Sequence, residues 1–322
     1  MDSETRFGKE ATGMANRPRR CAVIGGANID IGGFPSGRIA MQDSNPGRVR
    51  LSAGGVGRNI ACNLARLGVG THLVAAFGDD SFAAIARADC ARAGVDCSLA
   101  FDFEGAASSA YLFIADAGGD MQLAVNDMAI CDRLTPEALE SRLEALNGMD
   151  AVVVDANLPV ETLTFLAERL TPPLLADAVS TAKAPRLLGA LEHLAAVKPN
   201  AIEAETLTGI PVHGPDSAAR AARRLIELGA KRAFITLGER GACCADASGT
   251  RFLPGGAVKL VNATGAGDAF TAALAWGLMD GLSLEDCCAA GLAAASIAVE
   301  SLETVSPEIS AQAVIQRMRL LG

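Results

Sequence analysis

Short apolar runs alternate with amphipathic segments along most of the chain. The runs have the length of buried strands, and the segments between them repeat apolar residues at helical spacing. The predicted strands are 21–25, 72–77, 151–155, 174–178, 194–198 and 232–237. The predicted helices are 57–67, 81–93, 160–170, 217–228, 267–279, 284–299 and 309–320. Strands that alternate with helices predict a mostly parallel sheet covered on both faces.

Two stretches interrupt this alternation, at about 31–52 and 98–126. Each contains short strand-like pieces between glycine or proline turns, and each is too short to fold alone. We expect them to pair in one small sheet that projects over the carboxyl ends of the body strands. The predicted fold class is therefore α/β, with a three-layer body, a mostly parallel central sheet and a small β-sheet lid.

Composition narrows the class of protein. The 322 residues carry 28 basic and 37 acidic side chains, a formal net charge of −9, and half of them are hydrophobic. The mean hydropathy is +0.28 and the pI is about 5.0. This composition suits a large core, and the acidic balance gives no attraction to nucleic acid or an anionic membrane. No apolar run reaches the roughly 18 residues that span a bilayer, so we expect a small-molecule ligand.

Cysteines and the N-terminus indicate the compartment. Nine cysteines cannot all pair, and their apolar neighbours suggest buried thiols in a reducing cytoplasm. The three histidines show no metal spacing. Residues 1–20 contain basic side chains without an apolar segment, which does not resemble a secretory signal. We expect residues 1–20 to be a disordered extension and residues 21–322 to form one domain that includes the lid strands.

A first glycine-rich segment, residues 53–59, precedes a predicted helix. It contains Gly54-Gly55-Val56-Gly57-Arg58-Asn59 followed by Ile60, so isoleucine stands where a dinucleotide fingerprint has its third glycine. No P-loop motif occurs in the chain. Taken alone, the segment is either a ligand loop or simply the turn that begins a helix.

A second glycine-rich segment, Thr264-Gly265-Ala266-Gly267-Asp268, opens another predicted helix. Backbone N–H groups at the positive end of a helix can form an anion hole. A carboxylate in that first turn can accept a proton from an attacking hydroxyl, as phosphoryl transfer to an alcohol requires. The alternative is an ordinary helix cap. A cap needs only one polar residue, and each glycine destabilises a helix by about 1 kcal/mol, so the two glycines are not explained by capping alone.

Together, the two segments resemble the signatures of the ribokinase-like, or PfkB, family of carbohydrate and nucleoside kinases. The family has a Gly-Gly-x-x-x-Asn segment, here Gly54-Gly55 with Asn59, and a Thr-Gly-Ala-Gly-Asp segment, here residues 264–268. The resemblance covers about residues 21–320. It implies a ribokinase-like fold and an ATP-dependent kinase domain that uses Mg²⁺, with K⁺ as a further candidate.

The resemblance also implies roles for individual residues. Asp268 is expected to be the catalytic base, and Gly265, Ala266 and Gly267 the anion hole. The substrate-binding residues are expected to be Asn28, Asp30, Gly54, Gly55, Asn59 and Asn126, together with Asp268. The ATP-binding residues are expected to be Lys183, Asn200, Glu203, Thr236, Gly238, Gly241, Gly265 and Gly267. Glu203 is expected to hold Mg²⁺ through water.

Several of these residues have a plainer alternative. Asn28 and Asp30 follow a strand, at the edge where open α/β sheets bind ligands, but they could form only a turn. Asn126 could likewise close a turn, and Lys183 could be an ordinary surface lysine. Many family members have aspartate at the position of Asn262, where it helps form a monovalent-cation site, so the amide weakens the expectation for K⁺.

Three segments resemble the branch of the family that phosphorylates the ribose 5′-hydroxyl of pseudouridine: residues 54–68, 125–128 and 177–183. The alternatives are ribose, a nucleoside such as adenosine, or a ketosugar acid as acceptor. A non-catalytic sensor and a nicotinamide enzyme are less favoured, because Asp268 is present and the dinucleotide fingerprint is broken. Exposed lid edges suggest a homodimer formed through the lid.

Overall fold

A computed structural model of the chain describes residues 19–116 and 118–321, with only the backbone of Leu321. The predicted N-terminal extension therefore lies almost wholly outside the described residues. In the part of the chain that is described, no helix combines the length and the apolar character needed to cross a membrane.

The body is built on an eight-stranded sheet. Its strands, in spatial order, are β14 (Gly249–Pro254), β13 (Gly241–Asp246), β12 (Ala233–Thr236), β11 (Ala196–Lys198), β10 (Leu174–Asp177), β9 (Ala151–Asp155), β1 (Arg20–Ile24) and β4 (Gly70–Val74). Neighbours from β12 to β4 are parallel, whereas β13 runs antiparallel to both of its neighbours. The mostly parallel α/β sheet is confirmed, but the antiparallel edge pair was not predicted.

Helices cover both faces of this sheet. They are α1 (Val56–Arg66), α2 (Ser81–Arg92), α3 (Pro136–Glu140), α4 (Leu143–Asn147), α5 (Val160–Arg169), α6 (Ala201–Thr208), α7 (Pro215–Glu227), α8 (Ala266–Met279), α9 (Leu284–Val299) and α10 (Ala311–Leu321). Short 3-10 helices lie at Ala129–Arg133, Ala184–His193 and Gly238–Arg240. Alternate residues of β1 enter two separate cores: Val23 belongs to the core that includes residues of α1, α8 and α9, and Ile24 to the core that includes residues of α5 and α7. The three predicted layers follow from this alternation.

A separate four-stranded sheet forms the lid. Its spatial order is β3 (Gly47–Gly54), β2 (Asn28–Pro35), β7 (Ala110–Ala115) and β8 (Met121–Asp127). One part of the prediction differs, because the beginning of the 98–126 stretch does not join this sheet. Residues Phe101–Phe103 form β6, which pairs in parallel with β5 (Ala76–Gly78) at the body, where both phenylalanines pack against the core.

The two faces of the lid differ in chemistry. Cross-strand register places Asp30, Tyr111 and Asn126 side by side on one face, which we call the inner lid face. The opposite face, which we call the apolar lid face, carries a row of cross-strand neighbours: Leu51, Ile31, Leu112 and Val125. Because side chains alternate along a strand, the polar set and the apolar set are separated by the thickness of the sheet.

Candidate active site

Helix α8 begins at a tightly packed glycine. Gly265 has φ +86°, and a Cβ at this position would collide with the carbonyl oxygen of Thr304. The N–H of Ala269 donates to the Gly265 carbonyl at 2.9 Å, so the N–H groups of Gly267 and Asp268 precede the first full helical turn. These two groups are the donors that an anion at the helix start would meet.

Asp268 joins the two glycine-rich segments. Its Oδ2 accepts a hydrogen bond from Asn59 Nδ2 at 2.8 Å, although the residues are 209 positions apart. Burial raises the pKa of Asp268 to about 7, with a further contribution from the Asp177 carboxylate, against the opposing effects of Asn59 and the Lys198 ammonium. A carboxyl with this pKa can take up and release a proton near neutral pH.

Asn28 and Asp30 lie together at the base of the lid. Asn28 Nδ2 donates to Asp30 Oδ1 at 2.7 Å. Burial raises the pKa of Asp30, while the Asn28 hydrogen bond and the charge of Arg58 oppose the rise. A carboxylate beside an amide is a suitable pair for neighbouring sugar hydroxyls, because together they accept and donate hydrogen bonds.

The Gly54–Gly55 turn brings Asn59 to this place. A Cβ on Gly54 would collide with the Asp30 carboxylate, and one on Gly55, which has φ +97°, would meet the backbone of Gly26. The absence of both side chains lets the chain pass close to Asp30 before α1 begins. The exposed Asn126 lies on the inner lid face, two strands away from Asp30.

Residues of β12, β13, α8 and α9 line a largely apolar cavity of about 770 Å³. Five residues assigned to the anion hole or to ATP binding line it: Thr236, Gly238, Gly241, Ala266 and Gly267. Phe270, Leu292 and Val299 supply much of its apolar wall. The structure therefore brings four of the eight predicted ATP-binding residues, together with Ala266 of the predicted anion hole, to one cavity at the start of α8.

Asn200 and Glu203 cap helix α6. Asn200 Oδ1 accepts the N–H of Glu203 at 2.9 Å, and Glu203 Oε2 accepts the N–H of Asn200 at 2.8 Å. Burial raises the pKa of Glu203, while the Lys198 charge opposes the rise. The described residues contain no cluster of three or more His, Cys, Asp or Glu side chains able to hold a metal ion. Glu203 therefore offers a single carboxylate, which fits Mg²⁺ held mainly by water and phosphate.

Lys183 is not among the residues that line the apolar cavity at the start of α8. Its Nζ donates to Asn157 Oδ1 at 2.5 Å. The Asn157 amide lies against Gly26, in the link between β1 and β2, with Met128 close to the same glycine. Lys183 therefore lies near the link between β1 and β2, at the base of the lid.

A buried ion pair at the site was not among the predicted functional residues. Lys198 Nζ lies 2.8 Å from Asp177 Oδ2, and Thr271 Oγ1 donates to the same oxygen at 2.7 Å. Asp177 raises the pKa of Lys198 against the lowering effect of burial. Each charged residue ends a buried strand, β10 or β11, and a charge in that position is the sequence signal that could have revealed the pair.

Comparison with known proteins identifies the family. A family model described as pfkB family carbohydrate kinase matches residues 18–311. The chain is 33% identical to the pseudouridine kinase of Escherichia coli K12 over 295 residues, covering 91% of this chain and 94% of that protein. It is 34% identical to an uncharacterized sugar kinase of the same organism, YeiI, covering 90% of this chain and 81% of that protein.

Solved structures show the same architecture. A carbohydrate kinase from Agrobacterium tumefaciens superposes with a TM-score of 0.85 at 30% identity, covering 94% of this chain and 98% of that one. Arabidopsis thaliana ribokinase also gives a TM-score of 0.85, over 94% of this chain and 99% of that one; at 21% identity this likeness shows the fold alone. The chain therefore belongs to the pfkB family of carbohydrate kinases, ATP-dependent phosphotransferases that act on an alcohol group.

Proposed function

We propose that this protein phosphorylates the ribose 5′-hydroxyl of pseudouridine with ATP, and that Asp268 is the general base. One observation carries the proposal: Asp268 connects both halves of the site. Its side chain accepts a hydrogen bond from Asn59 of helix α1. This helix follows the Gly54–Gly55 turn, which passes close to the Asp30 carboxylate. Its backbone belongs to the first turn of α8, and the two residues before it, Ala266 and Gly267, line the apolar cavity.

The proposed reaction needs one proton transfer and one displacement. The hydroxyl proton passes to the Asp268 carboxylate while the 5′-oxygen attacks the γ-phosphorus of ATP. The bond from that phosphorus to the bridging oxygen breaks, and ADP leaves. The N–H groups at the start of α8, in the Gly265–Ala266–Gly267 turn, would stabilise the transferring charge without reorganisation.

We propose Mg²⁺ as the cofactor, held through water by Glu203. One oxygen of this carboxylate is engaged by the Asn200 N–H, and the second has no hydrogen-bond partner among the described residues. Mg²⁺ supplies charge neutralisation at the ATP phosphates when bound. K⁺ is a further candidate beside the anion hole, where Asn262 offers an amide whose Oδ1 accepts the Thr264 N–H at 3.0 Å.

The inner lid face supports a nucleoside acceptor over a free sugar. Tyr111, Phe113 and Phe34 lie on that face, with ring centroids 6.0 Å apart for the first pair and 5.8 Å for the second. Aromatic rings on the face that carries Asp30 offer a flat apolar surface to a planar base. The similarity to a pseudouridine kinase over 91% of the chain supports pseudouridine as that nucleoside.

A free sugar is the second candidate. Asn28 and Asp30 would bind ribose hydroxyls whether or not a base is attached, and two similar proteins are named sugar or carbohydrate kinases. The discriminating experiment measures kcat/KM for ATP-dependent phosphorylation of pseudouridine, uridine, adenosine, inosine and ribose. We expect pseudouridine to be preferred, with phosphate on the 5′-oxygen by ³¹P–¹H NMR. Rapid turnover of ribose with inert pseudouridine would overturn the proposal.

A variant of the aromatic surface sharpens this test. Phe113→Ala should lower kcat/KM for the nucleoside by about tenfold and change that for ribose little, because about 1–3 kcal/mol of base stacking is lost. Phe165→Ala, which removes a partly buried ring from α5 in the body, is the matched control. Equal losses for nucleoside and ribose would show that the ring only supports the lid.

We also propose a homodimer formed through the apolar lid face. Val49, Leu51, Leu112, Leu123 and Val125 are between 42% and 73% exposed, and they occupy one side of the sheet. A contiguous exposed apolar surface is typical of a protein interface. Sedimentation should show a dimer that Leu123→Lys dissociates. A wild-type monomer at tens of micromolar would refute this assembly.

A further inference from the structure

Arg58, the residue before Asn59, is a buried cation that contacts three elements. It is 6% exposed. Its Nη1 donates to Asn59 Oδ1 at 2.8 Å and to the Ala53 carbonyl, in β3, at 3.2 Å. Its Nη2 forms an ion pair with Asp89 of α2. A buried guanidinium is costly to desolvate unless it is paired, and the Asp89 carboxylate provides the pairing.

The contact with Asn59 determines which way that amide faces. An asparagine amide has one oxygen acceptor and one nitrogen donor, and a guanidinium can only donate. Asn59 Oδ1 must therefore face Arg58, and Nδ2 is left to face Asp268, where it donates at 2.8 Å. With the amide reversed, an oxygen would oppose the Asp268 carboxylate and the nitrogen would oppose a cation.

We propose that Arg58, anchored by Asp89, is a positioning residue for phosphoryl transfer, because it fixes the Asn59 amide so that Asp268 Oδ2 is bound and Oδ1 is presented to the acceptor hydroxyl. This inference rests on the proposed function of Asp268. Arg58 is absent from the residues that line the nucleotide cavity, so it acts through Asn59 and not by binding ATP.

Different charged groups surround Asp268 and Arg58, the residues on either side of Asn59. Asp268 faces Asp155 of β9, Asp177 of β10, Lys198 of β11 and Asn59 of α1. Arg58 faces Asp89 of α2 and Asp30 of β2, and its charge also acts on the thiols of Cys62 and Cys90. Loss of Arg58 would free the Asn59 amide to rotate, which removes a donor that keeps the pKa of Asp268 from rising further.

The first experiment follows the Asp268 carboxyl by ¹³C NMR titration, with its signal assigned from Asp268→Asn. In Arg58→Lys and Asp89→Asn, the pKa of Asp268 should rise by about half a unit or more. Arg92→Gln is the matched control, since the exposed Arg92 binds the same Asp89 carboxylate at 2.7 Å but does not contact Asn59. An unchanged pKa in both Arg58→Lys and Asp89→Asn, in folded protein, would overturn the proposal.

The second experiment uses turnover of the acceptor that the wild type phosphorylates fastest. At saturating acceptor and ATP, Arg58→Lys should lower kcat at pH 7 about tenfold and shift the acidic limb of the kcat profile to higher pH. In Asn59→Ala, adding Arg58→Lys should cost little more, because Arg58 acts through Asn59. Additive losses would contradict the proposal. A wild type inactive on every acceptor would refute the proposed function, while the NMR titration would still decide the role of Arg58.

Discussion

Lys198 and Asp177 form a buried ion pair, with 2.8 Å between Nζ and Oδ2 and neither side chain more than 6% exposed. The pair follows from the sheet, because these last residues of β11 and β10 are direct partners in the parallel register. Lys198 Nζ also lies 3.5 Å from the Gly267 carbonyl, so the pair packs against the first turn of α8. It therefore supports the segment that carries Asp268.

Lys198→Met should destabilise the protein strongly. The substitution leaves Asp177 charged and buried without its cation, and breaking such a pair costs about 3–5 kcal/mol. Urea denaturation measures the loss. Lys231→Met, which removes an exposed lysine, should change the free energy of unfolding by about 0.5 kcal/mol or less. Similar values for the two variants would show that the ion pair contributes little.

The pH dependence of catalysis should report Asp268. The base must be deprotonated, and burial raises its pKa to about 7. We therefore expect kcat/KM to rise with pH, to reach half its plateau near pH 7, and to level off above pH 8. Steady-state rates with saturating Mg²⁺ and ATP provide the measurement. A flat profile between pH 5.5 and pH 8 would be inconsistent with this assignment.

The Asp268→Asn variant should be nearly inactive, yet at alkaline pH it should be more stable than the wild type. Loss of the base lowers kcat by about 10²–10⁴, with a modest change in KM. The pKa of Asp268 is 3.8 without the fold and about 7 within it. Between these two values the folded protein keeps the Asp268 carboxyl protonated, whereas the unfolded chain releases that proton. The free energy of unfolding of the wild type therefore falls as pH rises from about 4 to 7.

The asparagine variant escapes that loss. At pH 8 it should exceed the wild type in free energy of unfolding by at most about 4 kcal/mol, and at pH 4 the two should be nearly equal. Denaturation curves at both pH values test the sign. A wild type more stable than the variant at pH 8 would show that the carboxylate is better solvated than its surroundings suggest.

Gly265→Ala should damage both folding and ATP binding. The new methyl group would collide with the Thr304 carbonyl at a residue with φ +86°. We expect a loss of about 2–4 kcal/mol and a higher KM for ATP, because the start of α8 must move. Gly281→Ala is the matched control: it has φ +72° but no atom within 4 Å of the added carbon. Its cost should be about 1 kcal/mol, with KM for ATP unchanged.

Much of the site could be predicted because its residues sit in local patterns. The glycine turns before Asn59 and Asp268 mark helix starts in the sequence, and the structure joins the two by a hydrogen bond. A charge at the end of a buried strand marks Asp177 and Lys198 individually, but that they pair depends on which strands become neighbours, and the Arg58–Asp89 contact likewise depends on which helices become neighbours.

The missed elements have a similar cause. The β13–β14 hairpin lies among glycines and short apolar pieces, a pattern that fits a loop as well as an edge strand. The sequence pattern predicts that the strand at Phe101–Phe103 joins the lid, because such a pattern does not reveal which strand will be its pairing partner. Lys183 shows the same limit for a side chain: the sequence gives its position after β10, but its contact with Asn157 depends on the folded arrangement of the loops.

The lid leaves and rejoins the body at one place. Asn28 and Gly54 are cross-strand partners, and the register continues outward to Pro35 and Gly47. Asn28 and Asp30, which we propose bind the acceptor, lie at this shared root, while residues 36–46 form the connection at the far tip. Insertions or deletions at the tip leave the register of Asp30 and the start of α1 unaltered. The tip at residues 36–46 can therefore differ in length and composition among related proteins without moving the residues at the base of the lid.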